Sequence, residues 1–177
     1  VNESDVPDIV FTTFSGSSYN SSGALNAIQG NSGETIWSVM SPGGHAVNGA
    51  GGVALGDLNG DGHVEVCVSG AATAVVCVNG TDGSFVWAGG SEVNTYGCPA
   101  IADLDADGQA EVIFGRTVLN SDGTLRFQGT GGAGGSTVMS FAVDWDLGGE
   151  LEVIAGNTIY RSDGTILWSD EHTDAAP

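Results

Sequence analysis

The sequence contains no lysine, and its only basic side chains are three arginines, Arg116, Arg126 and Arg161, set against 22 acidic residues. With a formal net charge of −19 nothing here could neutralise a row of phosphates, which excludes nucleic acid and anionic membrane surfaces as partners. No apolar run reaches the ~18 residues that a bilayer-spanning helix needs, so no membrane insertion is expected. Histidine is confined to His45, His63 and His172, too scattered for a zinc or catalytic centre. Cysteine is limited to Cys67, Cys77 and Cys98, so one thiol is left over however the others pair. The chain opens at Val1 without Met or a secretory leader, as a processed form or a piece of a longer protein would.

What remains is long enough, at 177 residues and 41% hydrophobic content, to bury a sizeable core. Glycine is abundant, 30 residues, without the three-residue period of collagen, which signals many tight turns. The acidity has a local use. Asp-Leu-Asp-Ala-Asp-Gly-Gln-Ala-Glu at 103–111 places carboxylates at positions 1, 3, 5 and 9 of a short loop, with Gly108 at position 6, where the backbone must turn sharply. Side chains two apart in such a loop converge on one point, and a hard divalent cation takes six to eight oxygens. The ligands expected for Ca2+ are Asp103, Asp105, Asp107, the Gln109 carbonyl and Glu111. Without a cation these carboxylates repel one another, and the loop should be poorly ordered. Pro-Ala-Ile-Ala before it and Val-Ile-Phe after it read as strands, not as the helices of an EF-hand.

The loop recurs. At 57–65 it supplies Asp57, Asn59, Asp61, the His63 carbonyl and Glu65; at 144–152 it supplies Asp144, Asp146, Glu150 and Glu152, with Gly148 at position 5. If all three bind calcium, the charge falls from −19 to about −13. Loop two, with carboxylates at positions 1, 3, 5 and 9, is expected to bind tightest, and loop three, whose Gly148 offers no side-chain ligand at position 5, weakest. A second landmark alternates with the first, Gly-x-x-x-Trp/Phe, at Gly33 to Trp37, Gly83 to Trp87, Gly123 to Phe127 and Gly164 to Trp168. Loop starts lie 46 and 41 residues apart, and a period in the forties with four short strands per unit signals a propeller blade. The expected fold is all-β: four-stranded antiparallel repeats, about three and a half blades, in a single segment 1–177 divided near 1–44 (partial), 45–92, 93–134 and 135–177.

In the second full repeat strand A is expected from Cys98 to Ala102, B from Glu111 to Phe114, C from Thr117 to Asn120 and D from Thr124 to Gln128. A two-residue turn at Gly115-Arg116, and at Gly156-Asn157 one repeat later, pairs Ile113 with Val118 and Ile154 with Ile159. The corresponding pair is Cys67 and Cys77, in a non-hydrogen-bonded position whose Cα separation of about 4.5 Å lies near the short end of the disulfide range. A disulfide and two buried thiols both satisfy that pattern. The shared aromatics are expected in the core between neighbouring blades, whereas Tyr19, Tyr96 and Tyr160 share no register. Tyr19 lies in a Ser/Asn-rich loop, and the Gly-rich run 129–136, lacking a following helix and a Lys-Ser/Thr, reads as a flexible connection and not a phosphate cradle. Asn2, Ser4 and Asp8 align with positions 3, 5 and 9 of a degenerate loop, so the first repeat lacks its strand A and the arc has open edges available for self-association. Sequons stand at Asn2, Asn20 and Asn79, of which Asn20 and Asn79 are the candidate glycosylation sites.

Three segments carry a resemblance to a known family: Ala-Leu-Gly-Asp-Leu-Asn-Gly-Asp-Gly-His-Val-Glu-Val at 54–66, Ala-Ile-Ala-Asp-Leu-Asp-Ala-Asp-Gly-Gln-Ala-Glu-Val-Ile at 100–113 and Phe-Ala-Val-Asp-Trp-Asp-Leu-Gly-Gly-Glu-Leu-Glu-Val-Ile at 141–154. With the Asp-Gly-x-x-x-Trp hairpin they resemble the FG-GAP/VCBS repeats of integrin-α-like β-propellers. The resemblance implies a secreted or cell-surface protein, usually seven-bladed, with structural calcium on one rim and a glycan or protein ligand recognised elsewhere. The family also includes polysaccharide-lyase-type enzymes, but three dispersed arginines are poorly suited to neutralising a uronate, and a non-enzymatic adhesion or recognition module is expected. A structural subunit joined through open blade edges is the alternative.

Overall fold

The computed structural model describes residues 6–16, 23–92, 96–132 and 139–170. Within them fifteen strands form four separate antiparallel sheets, each a meander in chain order. Blade one has three strands, β1 (Ile9–Phe14), β2 (Gly23–Ile28) and β3 (Thr35–Val39). Blade two comprises β4 (Val53–Gly56), β5 (Glu65–Ser69), β6 (Val75–Asn79) and β7 (Phe85–Gly89). Blade three comprises β8 (Ala100–Ala102), β9 (Glu111–Phe114), β10 (Thr117–Leu119) and β11 (Leu125–Gln128). Blade four comprises β12 (Ser140–Val143), β13 (Glu152–Ala155), β14 (Thr158–Tyr160) and β15 (Ile166–Ser169).

The expected registers are found: Ile113 faces Val118, Ile154 faces Ile159 and Cys67 faces Cys77. Gly115 and Gly156 adopt φ of 63° and 62° at the first turn position while the residues after them do not, the distribution of a type II′ hairpin. Of the two readings left open for the cysteines, the disulfide holds: Cys67 and Cys77 are bonded across β5 and β6, with Cα atoms 4.1 Å apart. Cys98 is free and half-buried.

Three strand ends differ from expectation. Strand C of blade three ends at Leu119, one residue short of Asn120, whose N–H donates to the Thr124 carbonyl at 2.8 Å in the turn. Strand A of blade three starts at Ala100, because Pro99 has no N–H to give the ladder, and Cys98 makes only an isolated bridge to Met139. Strand D starts at Leu125, because the Thr124 N–H is taken by Asp122 Oδ1 at 2.9 Å inside the turn.

The core lies between blades, and the period-two alternation of the central strands explains it. Val66, Val68, Val76 and Val78 face blade one and pack with Leu25, Ala27 and Trp37. Cys67 and Cys77 point the other way, toward Val112, Phe114 and Leu119 of blade three. Ile113 and Val118 in turn meet Val153, Ala155 and Tyr160 of blade four. Central strands buried on both faces must be apolar throughout, which is why β6 reads Val-Val-Cys-Val.

The repeated aromatic forms the joint between blades. Trp37 lies against Gly83 in the next blade's C–D turn, where an added methyl would stand 3.0 Å from the indole, and its Nε1–H donates to the Gly80 carbonyl at 2.8 Å. Trp87 repeats this on Gly123 and the Ser121 carbonyl, and Phe127 on Gly164. Trp168 departs from the expectation of a shared buried place: Trp37 and Trp87 are 7% and 8% exposed, whereas Trp168 is 52% exposed. Among the described residues no further blade offers it a turn.

The ring of Tyr160 is fully buried, and its hydroxyl donates to the Gly131 carbonyl at 2.5 Å and accepts from the Gly131 N–H at 2.8 Å. The first part of the Gly-rich run is thus docked on blade four. Asn2, Ser4, Tyr19, Asn20, His172 and the end of that run lie outside the described residues.

Candidate metal centre

Each acidic loop joins strand A to strand B of its blade, and neighbouring loops touch. The Ala110 N–H donates to the Leu58 carbonyl at 3.3 Å and the Leu151 N–H to the Leu104 carbonyl at 2.9 Å, so the three loops form one continuous rim. Position 1 organises the loop by accepting backbone N–H groups. Asp57 takes those of Gly60 and Gly62 at 2.8 Å, Asp103 those of Asp107 and Gly108, and Asp144 that of Gly149 at 3.2 Å. These bonds hold the Asp57 carboxyl below its ordinary pKa, the Gly62 N–H contributing most. Position 9 closes the loop, Glu65, Glu111 and Glu152 each accepting the N–H of position 2 at 2.9, 3.0 and 2.8 Å from a buried site at the start of strand B.

Carboxylate oxygens of Asp103, Asp105 and Glu111 lie within 4.8 Å of one another, and so do those of Asp144, Asp146 and Glu152. Positions 1, 3 and 9 therefore converge. Position 5 does not join them: the Oδ1 of Asp61 and of Asp107 each accept the N–H two residues on at 2.8 Å, capping the turn. With Gly148 at position 5, loop three has its convergent carboxylates at positions 1, 3 and 9, as loop two does. Loop one has Asp57 and Glu65 at positions 1 and 9 but Asn59 at position 3, whose Oδ1 accepts the Asp61 N–H at 2.9 Å. At position 7 the His63 and Gln109 N–H groups serve the cap, the Gln109 side chain accepts from Ser121 Oγ at 3.0 Å, and Glu150 accepts from Ser162 Oγ at 2.7 Å.

The donor set fits a hard cation. Asp105 Oδ1 and Asp144 Oδ1 are buried without a hydrogen-bond partner, an arrangement that a carboxylate oxygen tolerates poorly unless a cation faces it. Loop two also has a neighbour that no ligand count anticipates. Arg126, on β11, donates through Nη2 to Asp105 Oδ2 at 2.5 Å, through Nη1 to Glu111 Oε1 at 2.8 Å and through Nε to the Ser162 carbonyl of blade four at 2.9 Å. Hydrogen bonding from Arg126 holds Asp105 below the usual carboxylate range, whereas burial pushes Glu111 up. The signal was present in the sequence, since the residue before the blade aromatic is Ile36, Val86 and Leu167 in the other repeats and arginine only here.

Other candidates are placed plainly. His45 stacks on Phe85 with ring centroids 5.7 Å apart, Arg116 pairs with Glu92 at 3.2 Å, and Tyr96 is exposed. Asn79 ends β6, with its Oδ1 accepting the Thr81 N–H at 2.8 Å.

Antiparallel meanders packed face to face, with a core between sheets and acidic loops on one rim, define a propeller-type repeat protein. More particularly, residues 57–114 match the FG-GAP-like repeat, so the chain carries the repeat that its loops resemble. The fold is similar to that of the V. cholerae biofilm matrix protein Bap1, at 29% identity and a TM-score of 0.76 over 93% of this chain. It is also similar to a Bacillus licheniformis rhamnogalacturonan lyase, at 18% identity and a TM-score of 0.62 over 84% of the chain, and to BamB from Moraxella catarrhalis, at 12% and 0.50 over 94%. The chain spans 27% of the length of the Bap1 chain, 31% of the lyase and 51% of BamB. Among curated proteins no significant match is found.

Proposed function

We propose that the chain is a non-catalytic, extracellular propeller module that recognises a glycan or protein, with calcium as a structural ion on the acidic rim. The observation that carries the calcium reading is the convergence of positions 1, 3 and 9 in loops two and three around a buried carboxylate oxygen without a partner. When bound, the cation supplies charge neutralisation; Asp103, Asp105 and Glu111, and Asp144, Asp146 and Glu152, would hold it. The chain's own residues do the rest: Asp103 and Asp144 gather backbone N–H groups, and the position-9 glutamates anchor the rim to strand B.

An extracellular setting agrees with the Cys67–Cys77 disulfide, with weak-binding acidic loops suited to millimolar calcium, and with the likeness to a biofilm matrix protein. In such a setting Asn79 is available to carry a glycan. Adhesion within an extracellular matrix is the role this reading favours. Against catalysis, Arg116 and Arg126 are engaged by Glu92, Asp105 and Glu111.

The test is a glycan array probed in millimolar calcium and again in chelator, beside an assay for cleavage of uronate polymers. Calcium-dependent retention of a glycan class without cleavage is expected. Cleavage of the polymer, or retention unchanged by chelator, would overturn the reading.

A further inference from the structure

Three asparagines of this chain are followed directly by glycine: Asn48, Asn59 and Asn79. The backbone nitrogen of the following residue can attack an asparagine carboxamide, and glycine, lacking a side chain, leaves that approach uncrowded. The fold treats the three pairs differently. Asn48 is 1% exposed, and a methyl added to Gly49 would stand 2.6 Å from the Thr13 carbonyl oxygen, so that pair is packed away from water. Gly80, after Asn79, is buried, its N–H donating to the Val64 carbonyl at 2.9 Å and its carbonyl accepting from Trp37 Nε1–H at 2.8 Å. Asn59 and Gly60, at positions 3 and 4 of loop one, are both exposed. Loop two, with a described loop on either side, leaves position 4 equally open at Ala106, so this exposure belongs to the loop itself.

The hydrogen bonds of loop one suit the attack. The Gly60 N–H donates to Asp57 Oδ1 at 2.8 Å, which sets a carboxylate against the nucleophile to draw off its proton. Asn59 Oδ1 accepts the Asp61 N–H at 2.9 Å, a donor on the oxygen that takes up charge as the nitrogen adds.

We infer that Asn59 is a site of spontaneous covalent modification, at which the chain loses ammonia and gains a carboxylate on its acidic rim. The Gly60 nitrogen bonds to Cγ of Asn59 as its proton leaves toward Asp57, the Cγ–Nδ2 bond breaks, and Nδ2 departs with a proton as ammonia. Water then opens the five-membered imide. Addition at Cγ gives aspartate; addition at the main-chain carbonyl carbon gives isoaspartate, in which the chain runs on through the former side chain. Either product adds one negative charge to the formal −19. Aspartate at position 3 gives loop one carboxylates at positions 1, 3 and 9, the set that loops two and three already gather. The inference rests on the geometry of this pair and needs no bound ion.

Peptide mapping by mass spectrometry of the full chain, held in chelator at mildly alkaline pH, follows the three pairs together. Asn59 is expected to convert to a mixture of aspartate and isoaspartate while Asn48 and Asn79 stay intact, and isoelectric focusing should show the whole chain gaining one acidic charge. In urea, where the fold protects none of them, the three should convert at comparable rates. Gly60→Ala, which puts at position 4 the residue that loop two holds there at φ 59°, should keep Asn59 intact over the same period. An Asn59 that stays intact in the folded chain, or that outlasts Asn48 or Asn79, would overturn the inference. So would conversion undiminished in the Gly60→Ala variant, which would remove the Gly60 nitrogen as the attacking group.

Discussion

Position 4 of every acidic loop is left-handed whichever residue occupies it: Gly60 has φ 74°, Ala106 59° and Leu147 59°. An L-residue pays roughly 1–2 kcal/mol there, and glycine gives back part of that gain through chain entropy. Leu147→Gly and Ala106→Gly are therefore expected to stabilise the fold by about 0.5–1 kcal/mol each, read by urea unfolding. A loss of stability would mean that these side chains make contacts worth more than the strain. Arg126 makes the second residue-scale prediction. Its guanidinium bonds two of the three convergent carboxylates of loop two, so an incoming cation must displace it or share them. Arg126→Ala should raise the calcium affinity of loop two roughly tenfold, the partly exposed charge being worth about 1–2 kcal/mol. Calorimetry in an Asp144→Asn background isolates that loop, and weaker binding would show instead that Arg126 positions the carboxylates. The alternation of Asp, Gly and Glu made the loops legible in the sequence. Convergence at 1, 3 and 9 alone, with position 5 diverted to a cap, was not legible, because spacing says which side chains share a loop and not which hydrogen bond each accepts.

At the scale of elements, the C–D turn is the most repeated unit. Its glycine lies under the preceding blade's aromatic, and in blades two to four the aspartate before that glycine caps the N–H two residues on. The joint was legible as Gly-x-x-x-Trp/Phe, since a ring and a residue without a side chain recur together. Which turn each ring meets was not, because the partner lies in the next repeat. Trp87→Phe keeps the ring but loses the Nε1–H bond to Ser121, leaving that carbonyl short of a donor. A loss of about 1 kcal/mol is expected, whereas Trp168→Phe should leave the stability of the single chain unchanged. Equal effects at both positions would contradict the joint. The capping aspartates make stability depend on pH. Asp82 and Asp122 are held below the usual carboxylate value of 3.8 first by the Ser84 and Thr124 side chains, and Asp163 first by the Thr165 N–H. Groups with a depressed folded pKa contribute stability above their unfolded value, and that contribution disappears as pH falls through the folded one. The chain should lose stability below about pH 4, and the Asp82→Asn, Asp122→Asn, Asp163→Asn variant, which keeps the acceptors, should lose less. Parallel pH profiles would remove the caps from the account of acid sensitivity.

For the whole molecule, the all-β meander and its period followed from landmarks 46 and 41 residues apart, since local turns and alternation dictate a sheet. How sheets stack was less accessible: the burial of Trp37 and Trp87 and the exposure of Trp168 are properties of neighbours, and the same sequence motif gives both. No described helix is long and apolar enough to cross a membrane, and the acidic rim is the dominant electrostatic feature. The decisive measurement is thermal unfolding in millimolar calcium against chelator, for the natural chain and for an Asp103→Asn, Asp144→Asn variant. A site held at one hundred times its dissociation constant stabilises by about 2.7 kcal/mol, and each kcal/mol moves the midpoint of a chain this size by roughly 2–4 °C. With loops two and three both occupied, the midpoint should rise by roughly 10 °C or more, and most of that rise should vanish in the variant. A midpoint that calcium leaves unmoved in the natural chain would contradict a calcium-stabilised propeller.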